Sequence, residues 1–130
     1  MSAKLTILVV DDEALVRDQI RSSLAASYEV VLAADGVDAM QCYTRHSWRL
    51  SLVITDVQMP RLDGREFVEW LRLRGADTPI IMMSGDDDQA TVELVQQMTP
   101  HVAWLPKPFT TGQLLNEVQS AIKARRLDGK

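Results

Sequence analysis

Four short stretches of this chain carry side chains able to handle charge: Asp11-Asp12-Glu13, Thr55-Asp56, Ser84-Gly85-Asp86 and Pro106-Lys107-Pro108. Each ends or directly follows a run of aliphatic residues. If those runs are parallel neighbours in one sheet, their tips meet although Asp12 and Asp56 lie far apart in sequence. The expected site is then Asp11, Asp12 and Asp56, with the Ser84 hydroxyl and the Lys107 ammonium, on one sheet edge. Carboxylates gathered this closely repel and raise one another's pKa values. A divalent cation removes the conflict by supplying charge to all of them. Hard oxygen donors suit Mg²⁺, which retains waters and often works beside phosphate. Lys107, opposite, can neutralise phosphate oxygens as a point charge. Ser84 can donate to a second oxygen, and a backbone N–H beside the small Gly85 is free to approach a third. A carboxylate with Mg²⁺ on one side and lysine on the other is equipped to receive a phosphoryl group, because positioning and charge stabilisation supply most of the catalysis in such transfers. Solubilising loop charges do not account for the cluster, since repelling charges at one edge cost stability without a cation.

The elements that must position these groups are legible as an alternation. Leu5 to Val10 is nearly continuous aliphatic, as a strand covered on both faces should be. Glu29 to Ala33, Leu52 to Thr55, Pro79 to Ser84 and Val102 to Leu105 read the same way. Between them lie segments of helical spacing. Their apolar faces are Leu15, Val16, Ile20 and Leu24; then Val37, Met40 and Tyr43 within a helix from Gly36 to about Ser47; then Phe67, Val68 and Leu71; then Val92, Val95 and Met98; and finally Leu114, Leu115, Val118 and Ile122. Strands alternating with helices predict a (βα)₅ chain with a parallel sheet. Right-handed crossovers place helices on both faces, giving a flavodoxin-like, doubly wound α/β fold of strand order 2-1-3-4-5.

The chain of 130 residues, 46% hydrophobic and 25% charged, fits one globular domain with a core large enough to need no staples. A formal net charge of −4 argues against a domain built to hold nucleic-acid phosphates. The single cysteine, Cys42, cannot form an internal disulfide, so a reducing, cytoplasmic setting is the simpler expectation. Leu5 to Val10 is too short for a signal peptide's apolar region or a membrane span. No repeat or linker-like stretch divides the chain. The expected organisation is one domain over 1–124, followed by a short basic tail over 125–130, read as a solvated last helical turn whose cations suit a helix C-terminus and alternatively as a linker stub.

The motifs together resemble the receiver domain of two-component response regulators, from about Leu5 to Ala124. The resemblance rests on Val9-Val10-Asp11-Asp12-Glu13, on Asp56-Val57-Gln58-Met59-Pro60 with Asp63-Gly64, on Ser84-Gly85 and on Lys107-Pro108-Phe109, in order and each at the end of its strand. It implies that Asp56 accepts a phosphoryl group from a phosphohistidine on a sensor histidine kinase or histidine phosphotransfer protein. It implies Mg²⁺ held by Asp12 and Asp56, by Asp11 directly or through water, and by the backbone carbonyl of Gln58. Ser84, the backbone at Gly85 and Lys107 would bind phosphoryl oxygens, and the Lys107-Pro108 bond would be cis. Trp104 falls where the family carries an aromatic that turns inward as Ser84 is drawn toward the phosphoryl group. The implied readout surface is the fourth helix, fifth strand and fifth helix, facing a downstream protein, an output domain or a second copy in a phosphorylation-dependent homodimer.

Several residues depart from that pattern or carry a plainer reading. Trp104 stands in place of the usual Tyr or Phe, and its indole N–H needs a partner. It reads either as the switch or as a packing residue at a strand end. Thr99-Pro100 replaces a Gly-Ala pair common in the family. Gln58 and Asp86 occupy positions that the resemblance links to phosphoryl lifetime, and otherwise read as solvated loop residues. Asp86-Asp87-Asp88 lacks the ligand spacing, Gly and terminal Glu of a calcium loop, and is expected to cap the following helix. Asp63-Gly64 reads as a turn and helix start, and Cys42 as a small packing residue. His46 and His101 show no metal-ligand spacing.

Three classes of function are compatible with these residues. The first is a signalling switch that catalyses its own Mg²⁺-dependent modification and is not an enzyme acting on released metabolites. The second is a phosphatase with an aspartyl-phosphate intermediate, but the haloacid dehalogenase type carries an Asp where Gln58 stands, and no cap insertion is visible. A nucleotide or flavin binder lacks its Gly-rich loop after the first strand. The third is a phosphorylation-independent docking module on a receiver fold. Neither membrane insertion nor direct nucleic-acid contact is expected.

Overall fold

The computed structural model describes residues 4–85 and 88–128. Strands and helices alternate as β1 (Leu5–Val10), α1 (Ala14–Leu24), β2 (Tyr28–Ala33), α2 (Gly36–His46), β3 (Leu50–Asp56), α3 (Gly64–Leu73), β4 (Ile80–Ser84), α4 (Gln89–Met98), β5 (Val102–Pro106) and α5 (Thr111–Asp128). The strands form one parallel sheet in the order 2-1-3-4-5. This is the flavodoxin-like arrangement that the alternation predicts.

The aliphatic strand runs are explained by burial on both sides. Ile7 and Val9 of β1 point into one layer while Leu8 and Val10 point into the other, and all four are wholly buried. Ile20 and Leu24 of α1 cover the first layer together with Leu114, Val118 and Ile122 of α5. Ala39 and Cys42 of α2, Phe67, Val68 and Leu71 of α3, and Val92 and Val95 of α4 cover the second. Cys42 is thus a packing residue, as its position suggests.

Three details differ from the periodic reading. Leu15 is 77% exposed, because it sits in the first turn of α1, past the end of β1, and lines an open cleft with Phe109 and Leu114 instead of meeting the sheet. Met98 is likewise exposed at the last turn of α4. The second helix stops at His46, and Ser47–Arg49 tightens into a 3₁₀ turn before β3. The basic stretch after Ala124 is helical as far as Asp128, in keeping with its reading as a last helical turn, with Arg125 paired to Asp77 at 3.0 Å.

Helix starts follow local chemistry. The Asp35 carboxylate accepts from the Asp38 N–H at 2.8 Å and starts α2. Asp63 and Glu66 form a reciprocal capping box at α3, in which Asp63 accepts from the Glu66 N–H at 2.8 Å and Glu66 from the Asp63 N–H at 3.0 Å. Among the described residues, the cap expected from the acidic run before α4 is not made. Asp88 occupies the N-cap position, but its side chain bonds no helix N–H; Asp86 and Asp87 lie outside the described residues. The far end of α4 is stapled by Arg72. Its guanidinium donates to the Thr99 hydroxyl at 2.5 Å and to the carbonyls of Pro100 (3.0 Å), Ala76 (3.1 Å) and Thr78 (2.9 Å).

Candidate functional site

Sheet register sets the site. Val10 pairs with Thr55, Asp56 with Met83 and Ser84 with Pro106, so the residues just past these partners converge at the carboxyl edge between β1 and β3, where the strand order reverses. One carboxylate oxygen from each of Asp11, Asp12 and Asp56 lies within 4.8 Å of the others. Asp11 is wholly buried and Asp56 is 8% exposed, whereas Asp12 faces solvent. The Lys107 ammonium reaches both buried carboxylates, at 3.3 Å to Asp11 Oδ2 and 3.3 Å to Asp56 Oδ2. The peptide bond after Lys107 is cis, as the resemblance implies.

Backbone contacts fix these side chains. Asp11 Oδ1 accepts from the Glu13 N–H at 2.9 Å, and Arg17 donates to the Asp11 carbonyl at 2.6 Å. The Val57 N–H donates to the Met83 carbonyl at 3.1 Å, and the Gly64 N–H to the Val57 carbonyl at 2.8 Å. Gly64 must be glycine here, because a Cβ would stand 2.2 Å from the Asp56 carbonyl oxygen. The Lys107 N–H donates to the Ser84 carbonyl at 2.8 Å, which seats the lysine beside β4. Apart from Gly85 and its two chain neighbours, no atom of the described residues lies within 4 Å of where a Gly85 Cβ would be, which leaves space beside its backbone.

The electrostatics show what this arrangement lacks. Burial pushes the Asp56 carboxyl up to about 6; Lys107 offsets part of that and Asp11 adds to it. Burial also works against the Lys107 charge, but the Asp56 and Asp11 carboxylates outweigh it and hold the ammonium above its ordinary value. One lysine therefore does not satisfy the carboxylates it serves. All-oxygen donors, two of them buried, fit a hard divalent cation of the Mg²⁺ kind.

Ser84 and Trp104 are brought together by a hydrogen bond. The indole N–H donates to Ser84 Oγ at 2.7 Å, and the half-buried ring packs against the core layer under α2, α3 and α4. The N–H that a Trp must satisfy thus finds the very hydroxyl expected to meet a phosphoryl group. Gln58 is not simply solvated: its side-chain amide donates to Asp88 Oδ1 at 2.7 Å, across the mouth of the site. Arg17, Gly64 and Asp88 were missed by motif reading. Gly64 has a signal in the Asp-Gly pair, whose reading as a turn and helix start α3 bears out but which does not reveal the approach to Asp56; Arg17 and Asp88 have none for their partners, which are set by tertiary structure.

A doubly wound sheet with a carboxylate cluster and a lysine at its switch point defines an acidic, cation-seeking α/β domain. Comparison with known proteins narrows the class. The profile of the response regulator receiver domain matches residues 7–119. Response regulator MprA of Mycobacterium leprae (strain TN) is 36% identical over 126 residues, which is 95% of this chain and 54% of that protein. This chain spans about half the length of the curated relatives it matches. A response regulator receiver domain protein from Clostridium thermocellum superposes with a TM-score of 0.88 at 26% identity, over 95% of this chain and 98% of that one. The Vibrio cholerae chemotaxis protein CheY4 does so with a TM-score of 0.82 at 32% identity, over 92% and 99%. The chain belongs to the response regulator receiver family and is a domain of two-component signalling. None of its helices, among the described residues, is long and apolar enough to cross a membrane.

Proposed function

We propose that the domain is a phosphorylation-controlled switch in which Asp56 accepts a phosphoryl group from a phosphohistidine of a sensor kinase or phosphotransfer protein. The observation that carries this reading is the convergence of Asp11, Asp12 and Asp56 with Lys107 on one sheet edge. An Asp56 carboxylate oxygen forms the new bond to phosphorus as the phosphorus–nitrogen bond breaks and its electron pair returns to the imidazole. Asp11, Asp12, Asp56 and the Gln58 carbonyl would hold Mg²⁺, which when bound supplies charge that screens the incoming phosphoryl oxygens from the carboxylates. Lys107 exchanges part of its contact with Asp56 for a phosphoryl oxygen. The Ser84 hydroxyl and the Gly85 N–H donate to the others. Later hydrolysis by water returns Asp56 and releases phosphate, so the domain acts on itself and has no external substrate.

Ser84 links this chemistry to the readout. Its oxygen accepts from Trp104 while its own proton stays available to a phosphoryl oxygen, so one hydroxyl serves both. Movement of Ser84 then acts on the ring directly, and through it on the α4–β5–α5 face toward a downstream protein, an output domain or a second copy. The whole switch is carried by one domain in the cytoplasm, with α5 running past Ala124 to Asp128. Intact mass after incubation with acetyl phosphate and Mg²⁺ tests the reading. One phosphoryl adduct is expected, absent from Asp56→Asn and from a chelated sample. An adduct that survives Asp56→Asn overturns the assignment, and an adduct that leaves affinity for a downstream partner unchanged selects the phosphorylation-independent docking module.

A further inference from the structure

We propose that Asp88 is a positioning residue that, through its bond to Gln58, holds the switch in its resting arrangement and so opposes phosphoryl binding; this rests on Asp56 being the phosphoacceptor. Asp88 is buried, 8% exposed, at the N-cap position of α4, yet its carboxylate caps nothing. It takes instead the Gln58 side-chain amide, at 2.7 Å, from the loop two residues beyond Asp56. A cap has been given up for a bond between two loops.

The two partners are anchored to different parts of the molecule. The Gln58 loop is tied to the sheet through the Val57 N–H and the Gly64 N–H. Asp88 is tied back to Gly85, whose carbonyl accepts from the Asp88 N–H at 3.2 Å, and so it follows Ser84. The other end of α4 is pinned by Arg72 through Thr99 and Pro100. A pull on Ser84 toward Asp56 therefore shifts the N-terminal end of α4 relative to the Gln58 loop, and the strain falls on the Gln58–Asp88 bond. A bond made in the resting state and lost in the phosphorylated one lowers affinity for the phosphoryl group by its own net worth. The Gln58 backbone carbonyl, assigned to the proposed Mg²⁺ site, is not part of this bond, which uses the side-chain amide.

The test uses beryllofluoride as a phosphoryl analogue, titrated calorimetrically at saturating Mg²⁺ into the intact chain. Asp88→Ala and Gln58→Met each remove the bond and raise affinity about fivefold. The double variant gains no more than either single one. Asp88→Asn discharges the side chain but keeps an oxygen for the Gln58 amide, so it stays within about twofold of the unaltered protein. The proposal is overturned if Asp88→Asn rises as far as Asp88→Ala, since charge and not the bond would then set affinity. Additive gains in the double variant, or unchanged affinity in Gln58→Met, overturn it as well. No beryllofluoride binding by the unaltered protein would sink the phosphoacceptor reading itself, whereas binding without coupling sinks only the role of Asp88. Gln58 is exposed, so Gln58→Met provides the answer even if Asp88→Ala folds poorly.

Discussion

Asp56 sits where the fold resists its charge. Burial raises its pKa to about 6, and a single lysine shared with Asp11 offsets only part of that. In the unfolded chain the same group titrates near 3.8. Between those pH values the native state binds more protons than the unfolded state, so this contribution to stability falls as pH rises through the window. The unfolding free energy of the metal-free protein, from urea titrations, should therefore drop between about pH 4.5 and pH 6.5, by something of order 2 kcal/mol in excess of Asp56→Asn. At pH 7, without metal, Asp56→Asn should be the more stable protein. Equal slopes in the two proteins would show that Asp56 titrates normally. A second residue-level expectation concerns Trp104, whose N–H is satisfied by Ser84. Ser84→Ala leaves that donor unpaired, while Trp104→Phe keeps a ring and removes the donor. A double-mutant cycle in urea should return a coupling of about 1 kcal/mol, and a value near zero would dissolve the link between hydroxyl and ring.

At the scale of elements, the site depends on how closely α3 approaches the end of β3. Gly64, the first residue of α3, leaves no room for a Cβ against the Asp56 carbonyl. Gly64→Ala should cost about 1–3 kcal/mol through displaced backbone, and should weaken Mg²⁺ binding more than Asp63→Ala, which loses only the cap. Calorimetric titration with Mg²⁺ separates the two, and an Mg²⁺ affinity unaffected by Gly64→Ala would show that the approach is not what places Asp56. This dependence also marks the limit of what the linear sequence displays. Strand positions, sheet order and the edge cluster follow from aliphatic runs ending in Asp, Ser and Lys, because a buried parallel strand must be apolar and its polar terminus must fall at the sheet edge. Asp88 does not follow, since an acid before a helix reads as a cap and nothing local says that Gln58, thirty positions earlier, competes for it. Arg72 is hidden for the same reason: its acceptors are carbonyls and a hydroxyl brought together only when α3, β4 and the α4–β5 turn are assembled. Leu15 and Met98 obey helical periodicity but lie past the strand ends, where there is no sheet left to cover.

On the scale of the whole molecule, the two apolar layers supply the stability and the carboxyl edge gives some of it back. Acidic residues outnumber basic ones by 18 to 14, and the edge concentrates three of the acids where two are buried. A ligand that binds only the assembled edge must then stabilise the entire domain, by about 2.7 kcal/mol at a hundred times its Kd. Saturating Mg²⁺ should accordingly raise Tm at pH 7, by roughly 10 °C for a domain of this size, and a chelator should reverse the rise. The increment should shrink on acidification, because below about pH 6 the ion must displace the Asp56 proton. One pH unit below that value weakens apparent affinity about tenfold and removes about 1.4 kcal/mol of the gain. Thermal scans at pH 7 and pH 5, with and without Mg²⁺, check both parts. An equal increment at the two pH values, or one that persists in Asp56→Asn and Asp12→Asn, would place the stabilising ion elsewhere on the acidic surface and leave the carboxylate cluster without its cation.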